Sequence, residues 1–250
     1  MKIVALYTVF NGLELLKQSI NNIRPHVSDI VICYQTISNK GEERKDVETY
    51  VKQLNNVYLV YFEPDLSLNT KQNERNKHQI LINYAKKLSV THYVLMACDH
   101  FYTGQDFQNG VKLIENYGYD LTFTKMYTYY KRENWILDPI EDYYCPFITE
   151  LKPNTKIVRD NDYPVLVDPS LQIAPYSKPY VFKESEVMLH HYSMVRVDID
   201  DKFRNAAASI RWKPEQVERF ANEFENAELG DEISYFGGRR LVVQETKAPI

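Results

Sequence analysis

Apolar residues follow two rhythms along the first half of the chain. Ile3–Val9 is a nearly unbroken apolar run that ends at Asn11-Gly12 and predicts a strand buried on both faces. Leu13, Leu16, Ile20 and Ile23 then recur at helical spacing, with Lys17, Gln18 and Asn21 between them. The alternation repeats. Asp29–Gln35 reads as a strand, and a polar loop leads to a short helix carrying Val47, Val51 and Leu54. Val57–Phe62 is a third strand, followed by a helix from about Gln72 to Lys87 with Ile80, Leu81, Tyr84 and Ala85 on its apolar face. Tyr93–Ala97 is the next strand; a helix near Gln105–Tyr117 and a strand at Asp120–Lys125 continue the series. Strand–helix–strand alternation of this kind predicts an α/β fold, with a central, mostly parallel sheet flanked by helices.

The second half loses this rhythm. From Met126 to Tyr180 the chain is rich in Pro, Tyr and Asp and keeps no sustained period, which in a compact chain predicts a functional segment. A strand at Val187–Tyr192 follows, then helices near Asp198–Ser209 and Pro214–Ala227 and a terminal strand in "RRLVVQ". Neither a repeat nor a linker divides the sequence, so residues 1–250 are expected to form one domain with halves of about 1–125 and 126–250.

Composition narrows the function. A net charge of −4 over 250 residues gives no reason to expect nucleic-acid binding, which usually needs a basic face, and leaves room for local basic pockets. Only 8 glycines occur, in neither GxGxxG nor GxxxxGK[ST] order, which argues against dinucleotide-binding and P-loop chemistry. The three cysteines are widely spaced and odd in number, as expected of free thiols in a reducing cytoplasm. The apolar start is too short for a membrane span. Twenty tyrosines point instead to a surface that uses flat rings with polar tips.

The candidate chemistry begins where the strand Tyr93–Ala97 runs into Cys98-Asp99-His100. Strand ends are where α/β proteins hold ligands, although Asp is also an ordinary turn residue. On the same ground Thr8, Val9, Phe10 and Asn11 after the first strand and Gln35 after the second are nucleotide-site candidates; a plain turn explains Asn11-Gly12 equally well.

Four segments resemble GT-A glycosyltransferases, specifically the family 2-like nucleotide-sugar transferases. These are "IVALYTVFNGLELLKQSI", "NERNKHQILINYAKK", "ACDHFY" and "MLHHYSMVRVDIDDKFRN". The third stands where that family carries D-x-D, with Ala97 in place of the first acid and His100 where another acid is common. The resemblance implies a GT-A (Rossmann-like) fold and transfer of a sugar from a nucleoside diphosphate, UDP first, to an acceptor hydroxyl. It also implies a divalent ion, Mn²⁺ or Mg²⁺, at Asp99, and a basic donor-site residue at Lys77. One imidazole of His190-His191 is expected to join the ion, because neighbouring strand residues face opposite ways. His191 is the expected ligand and His190 the packed residue. Asp99→Ala is expected to abolish turnover and spare the fold.

The acceptor side is expected in the irregular half. Tyr129, Tyr130, Trp135, Tyr143 and Tyr144 cluster there among acids, and aromatic faces suit sugar C–H surfaces. Asp138, Glu141 and Asp142 are equal candidates for the base that takes the acceptor's proton. A catalytically silent carbohydrate-binding protein and a sugar-nucleotide pyrophosphorylase are the alternatives. The second normally carries a Gly-rich basic loop after its first strand, which "VFNGLELLK" is not.

Overall fold

The computed structural model describes residues 1–206, 212–235 and 239–246. In chain order the first half contains β1 (Ile3–Val9), α1 (Leu13–Ile23), β2 (Asp29–Tyr34), α2 (Asp46–Val51), β3 (Tyr58–Tyr61), α3 (Thr70–Ala85), β4 (His92–Ala97), β5 (His100–Phe101) and α4 (Gly104–Tyr117). The second half continues with β6 (Leu121–Tyr130), β7 (Trp135–Asp138), β8 (Cys145–Glu150), β9 (Lys156–Ile157), β10 (Ile173–Ala174), β11 (Pro179–Val181) and β12 (Met188–Met194). It closes with α5 (Ile199–Asn205), α6 (Pro214–Asn226), β13 (Glu232–Tyr235) and β14 (Arg239–Glu245).

The sheet runs in the order β13-β14-β7-β6-β8-β4-β1-β2-β3. Its parallel part is β3-β2-β1-β4, as the alternation predicts. Beyond β4 the direction changes, because β8 enters antiparallel between β4 and β6. Off this path, β12 lies parallel to β6 and antiparallel to the two-residue β5.

Period-two alternation divides the core into two layers. Ala5, Tyr7 and Val9 of β1 face a cluster with Leu16 and Ile20 of α1 and Phe107 of α4. Val4 and Leu6 face the other side, against Leu81, Ile82 and Ala85 of α3. Every side chain of β1 but Thr8 is buried, as expected of a central parallel strand covered on both faces. A third cluster joins Tyr130, Trp135 and Leu137 to α5, α6, β13 and β14.

Local signals set the helix ends. Asn69 caps α3 in a capping box with Gln72, so the helix starts at Thr70 rather than near Gln72. Thr103 caps α4, and Gly118 closes it in the left-handed region. The segment read as irregular contains the last five residues of β6, all of β7 to β10 and the first two residues of β11. Those strands are short, and β6 is buried at eight of its ten positions, so no polar alternation marked it. The helix expected near 198–209 is α5, whose described turn ends at Asn205; residues 207–209 lie outside the described residues. Cys33, Cys98 and Cys145 are free thiols. Among the described residues no helix is long and apolar enough to cross a membrane.

Candidate active site

The parallel strands β1, β2 and β4 all point their carboxyl ends at one edge, and a cleft of about 180 Å³ opens there. Thr8, Phe10 and Asn11 line it from the end of β1, Gln35 from β2, and Ala97 and Asp99 from β4. Val9, buried in the core, does not line it.

Helix α1 holds the turn that carries Asp99. Ser19 Oγ donates to the carbonyl of His100 at 2.8 Å and lies 2.9 Å from the Tyr7 hydroxyl. Asn22 donates to the Tyr102 carbonyl and accepts from its N–H, at 2.9 and 3.0 Å. On the far side the N–H of Tyr192 donates to the Asp99 carbonyl at 2.8 Å.

The Asp99 side chain is buried, at 3% exposure, and crowded by cations. Arg196 Nη2 donates to its Oδ2, and Lys202 Nζ donates to the same oxygen at 3.2 Å. His191 Nε2 stands 3.7 Å away from that oxygen. Burial by itself would raise the Asp99 carboxyl, but Lys202 and Arg196 outweigh it and hold the group well below the ordinary carboxylate range. Arg196 is itself 3% exposed and lies over Gly12. Gly12 has φ 75°, and a Cβ there would stand 1.7 Å from Arg196 Nη1. A glycine is therefore required twice over, by the backbone angle and by the guanidinium.

Asp99, His100 and His191 offer three ligand atoms within 4.8 Å of one another, a group that could hold a metal ion. Burial keeps both imidazoles neutral, His191 being pushed down to about 3, and their Nδ1 atoms are buried without hydrogen-bond partners. This donor set suits a divalent ion. The charge around it does not. At about 4 Å a dication and a monocation repel by roughly 8 kcal/mol at an effective dielectric of 20. Two such cations already share the only carboxylate of the group, so the residues as arranged do not fit the ion.

His190 and His191 face opposite ways. His191 pairs in register with His100, their rings 5.1 Å apart, whereas His190 turns to the aromatic side and lies 2.8 Å from the Tyr129 hydroxyl. Lys77, 3% exposed, also lines the cleft and pairs with Glu74 at 2.7 Å.

None of the aromatic or base candidates of the second half lines the cleft. Tyr129 is fully buried and stacks on Tyr192 at 4.1 Å; Tyr130 and Trp135 are buried against α6 and β14. These three are core side chains, since an aromatic ring on a short strand is buried as readily as displayed. Tyr143 is 40% exposed, and Tyr144 has the Lys125 ammonium 4.3 Å from its ring centre. Of the acids, Asp138 accepts from Gln244 at 3.1 Å on the far strands, and Asp142 is exposed. Glu141 Oε1 accepts from Thr128, whose register partner on β12 is His191.

No family model matches the chain, and no curated protein matches its sequence. Solved structures resemble it in shape. S. aureus TarS 1–349 is 12% identical, with 90% of this chain and 71% of that one aligned at a TM-score of 0.47. The same fragment in complex with UDP-GlcNAc is 13% identical, with 90% and 72% aligned at 0.45. Against a longer TarS chain the alignment spans 43% of that chain. Likeness at this level leaves the assignment to the site's own geometry.

That geometry includes residues the sequence reading passed over. Arg196 and Lys202 lie inside the quoted "MLHHYSMVRVDIDDKFRN", and Asn39 and Glu74 complete the cleft wall. The signal for the pair was the basic residue every few positions after the His-His strand. Nothing in one dimension said that both would fold back onto Asp99.

Proposed function

We propose that the chain is a glycosyltransferase of GT-A type that takes a sugar from a nucleoside diphosphate, with a uridine nucleotide as the first candidate. The observation that carries this reading is the cleft at the carboxyl ends of β1, β2 and β4, where a base acceptor and fixed cations converge. Gln35 Nε2 donates to the Ile37 carbonyl at 2.6 Å, which leaves its Oε1, buried and without a partner, as an acceptor for a ring N–H such as that of uracil. Lys77, Arg196 and Lys202 supply three positive charges at the same cleft against the carboxylates of Glu74 and Asp99. That balance favours an anionic ligand.

In the reaction the acceptor oxygen attacks the anomeric carbon, the bond from that carbon to the diphosphate breaks, and the diphosphate leaves with the electron pair. Glu141 takes the proton of the attacking hydroxyl, chosen over Asp138 and Asp142 because it accepts from Thr128, which pairs in register with His191 beside Asp99. The acceptor would approach along Tyr143 and Tyr144. Mn²⁺ or Mg²⁺ dependence, expected from the resemblance, is supported by the reach of Asp99, His100 and His191 and opposed by the two cations on Asp99. The opposing charge weighs more, and no step is routed through an ion. Binding of sugar nucleotides without turnover is the second reading, favoured by Ala97 in the cleft wall where the resemblance expects an acid.

A screen of UDP-sugars for transfer and slow hydrolysis tests the reading. Glu141→Gln is expected to lower kcat by about 10²- to 10⁴-fold with little change in KM. Unchanged turnover in that variant removes Glu141 from the mechanism, and failure of every nucleotide sugar to bind removes the transferase.

A further inference from the structure

The donor reading requires something to neutralise two phosphates, and the chain supplies its own cations for that work. Lys202 is presented rather than buried outright, at 21% exposure, with Nζ 3.2 Å from Asp99. Its helix α5 is latched to the loop after β2 by three contacts. Arg44 pairs with Asp201 at 2.7 Å, Asn205 donates to Glu42 at 2.9 Å, and Lys40 donates to the Arg204 carbonyl at 2.7 Å. Behind Lys202, Arg196 spans two clefts, the one at the strand ends and a neighbouring one of about 350 Å³. Its Nη1 is buried without a hydrogen-bond partner, with a Glu14 carboxylate oxygen 3.9 Å away. A guanidinium held this way, between Gly12 and Asp99, carries a charge that its surroundings do not fully satisfy.

We propose that Lys202, positioned by Asp99 and backed by Arg196, takes the place of a divalent cation, so that a nucleoside diphosphate binds here without metal. The proposal rests on the donor reading above. Asp99 then serves as an anchor for cations, and Arg196 acts as a positioning residue through it. Lys77 is not the surplus charge, because Glu74 already pairs with it.

Calorimetric titration of UDP in EDTA and in Mn²⁺ tests this with the wild-type chain, Lys202→Gln and Lys202→Arg, with circular dichroism as the check on folding. UDP should bind in EDTA within about threefold of its affinity in Mn²⁺. Loss of one charge-assisted hydrogen bond in Lys202→Gln should weaken it about 10- to 100-fold, and Lys202→Arg should restore most of that. Binding that disappears in EDTA and returns with Mn²⁺ overturns the proposal and leaves the donor reading standing. Unaltered UDP affinity in Lys202→Gln overturns it as well. Absence of binding by UDP and by other nucleoside diphosphates in both buffers removes the donor reading, and the proposal with it.

Discussion

The strand-end cleft and the tyrosine-rich stretch from Tyr127 to Tyr144 both carry chemistry-bearing side chains, yet the fold treats them in opposite ways. At the cleft three parallel strands end on one edge, so whatever follows each strand meets whatever follows the others. Thr8, Gln35 and Asp99 converge for that reason, although 27 residues separate the first two and 64 the last two. In the tyrosine-rich stretch β7 and β8 both run antiparallel to β6, one on each side of it, so the chain doubles back after β6 and then crosses to its other edge. Residues close in sequence are thereby dispersed: Tyr129 packs on Tyr192, Trp135 packs in the α6 cluster, and Tyr143 reaches solvent. Strand direction, more than residue type, decides whether a polar cluster in sequence becomes a site.

The contrast breaks most readily at Asp99. Its removal leaves Arg196 and Lys202 without their common partner, and Asp99→Ala should cost about 3–5 kcal/mol of stability along with nucleotide affinity. This reverses the expectation that the variant would spare the fold, because that expectation took the residue to lie outside the core. Urea denaturation decides it, and an unshifted midpoint would return Asp99 to the surface. In the other region Trp135→Ala should cost about 3–5 kcal/mol while UDP affinity stays unchanged. Tyr143→Ala should stay within about 0.5 kcal/mol of wild type. A loss of acceptor binding in Trp135→Ala beyond its loss of stability would mean that the ring serves a site after all.

A pH-dependent effect sharpens the difference between the two adjacent histidines. Burial lowers the His190 imidazole from 6.5 to about 4, so the unfolded chain holds the extra proton between those values. Its contribution to stability is complete above about pH 6.5 and declines as pH falls toward 4. His190→Gln should flatten the stability-versus-pH curve in that window by at most about 1.4 kcal/mol per pH unit. Nucleotide affinity at pH 8 should not change, since His190 faces Tyr129 rather than Asp99. An equal loss of affinity from His190→Gln and His191→Gln would erase the distinction between the two faces.

The first half of the fold was legible because its physics is local. The run Ile3–Val9 and the spacing of Leu13, Leu16, Ile20 and Ile23 state strand and helix directly, and apolar periods translate into burial without knowledge of distant partners. The opposite facings of His190 and His191 follow from strand geometry in the same way. Three matters belonged to tertiary structure. β8 enters antiparallel between β4 and β6, which ends the parallel run of the sheet. Tyr129, Tyr130 and Trp135 are core rather than surface, because burial of a ring depends on which helix arrives over it. Above all, Arg196 and Lys202 return 97 and 103 residues after Asp99 to share its carboxylate. Sequence determined that an acid stands at the end of the strand; the charge it meets was decided by the return path of the chain, since Coulomb energy depends on distance in space and not along the backbone.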